Sequence, residues 1–191
     1  MENFTGNHIE YFPNTNTIRS TTMMVKGKKE GPCIEYFMNG TIHRTTNYVN
    51  NKKHGEMVEN YTSGAPLWKY NYKDNTRHGL SQSFHHDGPL LDETEYYDGE
   101  LHGISKHYHV AGGVRTIGEF NHGKPTGDHF EYYANGQIEK KTPYLNGEVH
   151  GYEIHYGTDG KILQVQLFEN GVFVRPPVGP DRKRRYPDIE Y

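Results

Sequence analysis

Cysteine is almost missing from this 191-residue sequence. Cys33 stands alone, so no intrachain disulfide can form, and the chain fits a reducing compartment. No stretch approaches the roughly 20 apolar residues of a membrane-spanning helix. The start, Met1-Glu2-Asn3-Phe4-Thr5-Gly6-Asn7-His8, has neither a basic nor an apolar segment. It therefore reads as no secretory signal, and a cytoplasmic location is expected. Branched aliphatics and Phe are scarce: 8 Leu, 10 Ile, 10 Val and 8 Phe in 191 residues, close to the level at which disorder is suspected. The net charge of only −3 and the 16 Tyr argue the other way. Tyr buries a ring yet leaves a hydroxyl for water, which suits a thin fold with half-wet side chains.

Signatures of catalysis are missing as well. There is no Gly-x-Ser-x-Gly, no phosphate-cradling glycine loop ahead of a helix, and no His-Glu-x-x-His. The acidic residues recur without a fixed pair. Cys33 occupies a position held by ordinary polar residues elsewhere. No enzymatic activity, cofactor or metal is expected.

Glycine, by contrast, is plentiful and periodic. Gly31, Gly55, Gly79, Gly103, Gly127 and Gly151 stand 24 residues apart, and Gly6 precedes them by 25. A fixed period of this size marks a repeat array. Seven units fill residues 6–174, giving a repeat array over 1–174 and a tail over 175–191. Counting from each leading Gly, an aromatic recurs at position five, Gly at nine, an aliphatic at eleven, an aromatic at seventeen, and Gly or Asn at twenty. Asn-Gly and Asp-Gly pairs such as Asn39-Gly40, Asp87-Gly88 and Asn146-Gly147 are hairpin signals. Helical spacing of apolar residues is absent. Each unit therefore holds two strands and two turns, about 14 strands in all.

Parity suggests the turn type. A three-residue loop ending in Gly pairs Tyr36 with Ile42 on one face, since alternate strand residues share a face. Applied to the second turn, the same arithmetic predicts another three-residue loop. All rings then gather on one surface. The unit at Gly55 departs from the rule, with Tyr61 and Leu67 each one place late, so a bulge or longer turn is expected there. In the first unit Pro13-Asn14-Thr15-Asn16 carries the extra residue.

This pattern resembles the MORN repeat (membrane occupation and recognition nexus). It is carried best by Glu131-Tyr132-Tyr133-Ala134-Asn135-Gly136-Gln137-Ile138 and Tyr144-Leu145-Asn146-Gly147-Glu148-Val149-His150-Gly151. The likeness is to the variant class found in antitoxin-like bacterial proteins and large DNA viruses. It implies an all-β, single-layer, elongated and twisted antiparallel meander of about seven 24-residue β-hairpins. It also implies a scaffold, dimerisation or lipid-associated role.

The expected function is a non-enzymatic protein–protein interaction scaffold or spacer, in one reading a component of a large DNA virus and its particle. The alternatives are an antitoxin-like protein that occludes a toxin, or a membrane-associated module. The expected partner is another protein or a second copy, meeting the ring ladder of Tyr36, Tyr48, Trp68, Tyr72, Phe84, Tyr96, Tyr108, Phe120, Tyr132, Tyr144 and Tyr156. A competing reading makes that ladder the array's own core. Residues 1–174 carry 16 basic and 21 acidic residues, net −5. An acidic surface is a poor match for anionic lipid and for nucleic acid. The tail has five basic against three acidic residues. Its Arg182, Lys183, Arg184, Arg185 and Tyr186 form a second candidate, for docking on an acidic surface. The recurring His54, His78, His102 and His150 lie about 10 Å apart, too far to share a metal. They read as groups bonding the backbone beside turns.

Overall fold

The computed structural model describes residues 3–174. It is all-β, with 17 strands and no helix among the described residues. Two compact units emerge, Met1–Leu101 and His102–Tyr191. The first contains β1 (Gly6–Tyr11), β2 (Ile18–Val25), β3 (Lys28–Tyr36), β4 (Ile42–Val49), β5 (Lys52–Asn60), β6 (Pro66–Lys73), β7 (Thr76–Arg77), β8 (Gly79–Phe84) and β9 (Leu90–Tyr97). The second contains most of β10 (Glu100–Tyr108), then β11 (Val114–Asn121), β12 (Lys124–Tyr132), β13 (Ile138–Leu145), β14 (Glu148–Val149), β15 (Gly151–Tyr156), β16 (Ile162–Glu169) and β17 (Val172–Val174). Within each unit, successive strands pair antiparallel as a single-layer meander. The count exceeds 14 for two reasons. Two strands are interrupted, at His78 and His150, and β17 starts a further repeat.

The first turn of each repeat is the expected three-residue loop. Phe37 N–H donates to Thr41 O at 2.8 Å and Gly40 N–H to Phe37 O at 2.9 Å, with Gly40 at φ +85°. Tyr61 and Ala65 repeat the bond at 2.8 Å. The unit at Gly55 therefore has no longer turn; its ring has moved from position five to position six. The first unit does carry an extra loop residue, with Phe12 bonded to Thr17.

The second turn differs from expectation. Val49 faces Lys52 directly, and Asn50 and Asn51 both have positive φ, 50° and 68°. That is a two-residue type I′ loop, whose twist matches the strands it joins. Asp74-Asn75, Asp98-Gly99, Asn146-Gly147 and Asn170-Gly171 repeat it.

The 24-residue ruler marks neither turn. Gly55 lies inside β5 at φ +84°, where the pairing shifts from Thr46↔Met57 to Tyr48↔Lys53. Two extra residues bulge out there, and a left-handed backbone inside a strand asks for Gly. The Asn47 amide fills the bulge by donating to Glu56 O at 2.8 Å.

A second bulge decides which face each side chain takes. Tyr36 faces Ile42, but Glu35 faces Arg44, so β4 gains one residue between them. The extra residue inverts the remainder of the strand. Ile42 shares the face of Tyr36, whereas Arg44, Thr46 and Tyr48 share the face of Cys33 and Glu35.

Burial follows this division in the first unit. Its buried side chains are Ser20, Thr22, Cys33, Thr46, Met57, Ser81 and Ser83, all on the Thr46 face. Thr22, Cys33, Thr46 and Met57 are successive cross-strand neighbours. The Thr22 hydroxyl meets Cys33 Sγ at 3.1 Å. In the second unit Ser105 and Thr142 are buried, together with Ile154. Small hydroxyl side chains form most of this core because one layer has little room to bury more.

Candidate interaction surface

The structure divides the expected ring ladder between two faces. In the first unit Tyr36 and Phe84 lie on one face, and Tyr48, Trp68, Tyr72 and Tyr96 on the other. In the second unit Tyr108, Tyr132 and Tyr156 oppose the face of Phe120 and Tyr144. The single ring surface is thus corrected. The bulge after position eleven inverts parity before position seventeen is reached. Arg182, Lys183, Arg184, Arg185 and Tyr186 lie outside the described residues.

On the Thr46 face of the first unit the charges are arranged in short networks. Arg44 lies 2.6 Å from Glu35 and 3.9 Å from Glu59. Partial burial pulls the Arg44 pKa down, but the Glu35 hydrogen bond and the charges of Glu35 and Glu59 outweigh it, so the net shift is upward. His43 stands 3.5 Å from Glu59 and packs against Phe37 at 4.4 Å. A groove of about 680 Å³ opens on this face near the first strands, lined by Phe12, Arg19, Cys33, Phe37 and Arg44 among others. Its volume is within the range of ligand-sized clefts.

At the type I′ end of the same face, cations and rings alternate. Lys29 Nζ lies 4.9 Å from the centre of the Tyr48 ring, and Lys53 Nζ 5.0 Å from that of Tyr72. The Arg77 guanidinium lies 4.4 Å from Tyr70 and 5.2 Å from Tyr96. Burial alone would lower the Arg77 pKa. The Tyr72 hydrogen bond and the neighbouring Tyr96 and Tyr70 turn the shift upward. Trp68 stacks on Tyr70 at 5.8 Å in the same strand. The sequence signal was available: position twenty-two holds Lys53 and Arg77, then Leu101, Pro125, Val149 and Phe173.

In the second unit that position is apolar. Val149 faces Tyr144, and Phe173 faces Phe168 with centroids 5.8 Å apart. A smaller hollow of about 160 Å³ lies around Gly118, His129 and Lys140. His129 packs between Phe120 at 5.2 Å and Tyr144 at 4.5 Å, and its Nε2 is 2.9 Å from Glu119 O. Lys140 pairs with Glu131.

Of the recurrent histidines expected to bond the backbone beside turns, His150 does so through its ring, whereas His78 meets a carboxylate. His78 meets Asp98 of the next turn at 3.3 Å, and His150 Nδ1 accepts from Asn170 N–H at 3.4 Å. Among the described residues no group of three or more ligand side chains is placed to hold a metal. Position six supplies a bracket that sequence reasoning missed. Tyr61 Oη donates to Phe84 O at 3.0 Å, and Tyr133 Oη to Tyr156 O at 2.8 Å. His109 Nε2 takes the same place beside Tyr132 O at 2.9 Å.

This geometry defines a β-hairpin repeat array that presents two dissimilar faces. Residues 125–146, covering β12, its loop, β13 and the start of the type I′ turn, match the family model described as the MORN repeat variant. The chain therefore carries a repeat of the MORN type at these residues, and the repeat points to an interaction module. No curated protein matches it. Two solved structures are similar at low level. The crystal structure of TarM shows 12% identity and a TM-score of 0.31 over 72% of this chain and 21% of TarM. A mutant TarM from S. aureus, in complex with Fondaparinux, alpha-GlcNAc-glycerol and UDP, shows 14% identity and a TM-score of 0.28 over the same shares. The chain thus spans about a fifth of the length of those proteins.

Proposed function

We propose that this chain is a non-enzymatic scaffold that binds other proteins through its sheet faces. One observation carries the reading. In the first unit, half-buried rings, cations and carboxylates line a single continuous face with a groove of about 680 Å³. Ordered amphipathic side chains of this kind are those that dominate protein interfaces. Placement inside the cell is a finer proposal that rests on the lone Cys33 and the lack of a secretory signal at the start, and incorporation in the particle of a large DNA virus is one that rests on the resemblance alone. Recovery from purified particles tests the second. The antitoxin-like alternative predicts a toxin gene beside this one. The membrane-associated alternative predicts pelleting with anionic vesicles at low salt, and the acidic array opposes it.

The deciding experiment is affinity purification with the full chain and with residues 175–191 deleted. A partner, or a second copy, retained by the full chain supports the scaffold. Retention of neither by either form removes it.

A further inference from the structure

The cation ladder of the first unit has three properties that together specify a ligand. Its cations lack carboxylate partners: no ion pair within 4.0 Å forms to Lys29, Lys53 or Arg77 among the described residues. Each is half-buried, and each lies over a ring presented by the following strand. Gly31 and Gly55 make room for this, since they face Tyr48 and Tyr72 two residues beyond each lysine.

The ladder is also held in place. Asn51 N–H donates to Lys29 O at 3.0 Å, and the Asn51 side chain accepts from Lys29 N–H at 2.7 Å. Asn75 holds Lys53 in the same way, at 2.9 and 2.8 Å. Gly99 N–H donates to Arg77 O at 2.8 Å. The cations therefore project from fixed backbone positions.

The third property is the pitch. Equivalent residues lie two strands apart, about 9.6 Å at the ordinary strand spacing. A polyproline II helix places every third side chain on one side at a rise of about 9.3 Å. The two rulers agree across the three cations. An extended β-conformation does not match, because its same-side residues recur at about 6.8 Å. Aromatic-lined grooves are also what polyproline II segments dock into.

We propose that the Lys29–Lys53–Arg77 ladder receives an acidic segment in polyproline II conformation, with a carboxylate at every third residue. This rests on the scaffold reading and names the chemistry of its partner. Each carboxylate sits at one cation, and intervening prolines pack on Tyr48, Tyr72 and Tyr96. The second unit lacks the cations at this position and does not share the activity.

The test titrates labelled peptides into the intact chain, read by fluorescence polarisation and by the emission of Trp68. The probe is four repeats of Glu-Pro-Pro. The control has the same composition with its glutamates contiguous. The probe is expected to bind saturably at low salt and the control to bind at least fivefold more weakly. Replacing Lys29, Lys53 and Arg77 together by Gln is expected to weaken the probe roughly 30-fold, about threefold per cation. A charge-reversed form, K29E/K53E/R77E, is expected to lose this probe and to gain four repeats of Lys-Pro-Pro. That gain needs a folded chain, so it separates lost binding from lost structure. Equal binding of probe and control, or a probe indifferent to the triple Gln variant, overturns the proposal. A partner captured equally by wild type and the triple variant leaves the scaffold standing and rejects the ladder as its site.

Discussion

Arg44 stands 2.6 Å from the Glu35 carboxylate because one extra residue in β4 turns it onto the Thr46 face. The guanidinium also separates Glu35 from Glu59 on the next repeat, 3.9 Å away. Replacing Arg44 by Met leaves two like charges on one half-buried face. The expected loss is about 1 kcal/mol, given the partial exposure of all three groups. It is read as a lower urea midpoint with an unchanged slope. Adding salt is expected to recover part of the loss by screening the two carboxylates. A variant as stable as wild type at low salt contradicts the role given to Arg44.

Gly118 has an ordinary backbone but no space for a side chain. A Cβ there would overlap the imidazole of His129. Gly118→Ala is expected to push that ring out from between Phe120 and Tyr144 and to break its contact with Glu119 O. The expected cost is about 2 kcal/mol, the usual scale of overpacking. His129→Ala removes the obstacle, so the double variant is expected to be more stable than the two single losses added together. Strict additivity in that cycle rules out the clash as the cause.

The same two residues show what was legible in the sequence. The period, the hairpins and the three-residue loop at Gly40 are local. They depend on turn residues whose backbone preferences hold in any context. The extra residue in the turn after Phe12 was legible for the same reason. The faces were not. One bulged residue after Ile42 inverts everything downstream, and no residue type announces it. The length of the second turn was not legible, because Asn51 and Gly99 suit either a two- or a three-residue loop. Crowding of His129 over Gly118 arises only across strands. The cations Lys53 and Arg77 were in plain view at a fixed position, and their meaning came from the rings beside them.

Tyr133 and Tyr61 tie each repeat to the next through hydroxyls that donate to Tyr156 O and Phe84 O. Tyr→Phe removes the donor and keeps the ring. Each substitution is expected to cost about 1 kcal/mol, because a partly buried carbonyl loses its partner. Hydrogen exchange gives the more specific reading. In Tyr133→Phe, amides around the β15–β16 loop are expected to exchange faster, while those of β3 and β4 keep their rates. Uniform acceleration across the chain contradicts a bracket local to two repeats.

Tyr70 sets an alkaline limit. Its ring lies between Trp68, stacked at 5.8 Å, and Tyr72 at 6.4 Å. Burial pushes its phenol pKa above the ordinary value, and the nearby Arg77 offsets this only in part. The folded state therefore holds the neutral phenol more firmly than the unfolded chain does. The resulting stability is fully present below the unfolded value of about 10 and is lost as pH rises through the higher folded value. Denaturation followed by Trp68 emission is expected to show stability falling above about pH 10, more steeply in wild type than in Tyr70→Phe. Tyrosinate absorbance is expected to lose a late-titrating component in the variant. If both proteins decline in parallel, the alkaline loss belongs to other residues and the burial of Tyr70 has no such consequence.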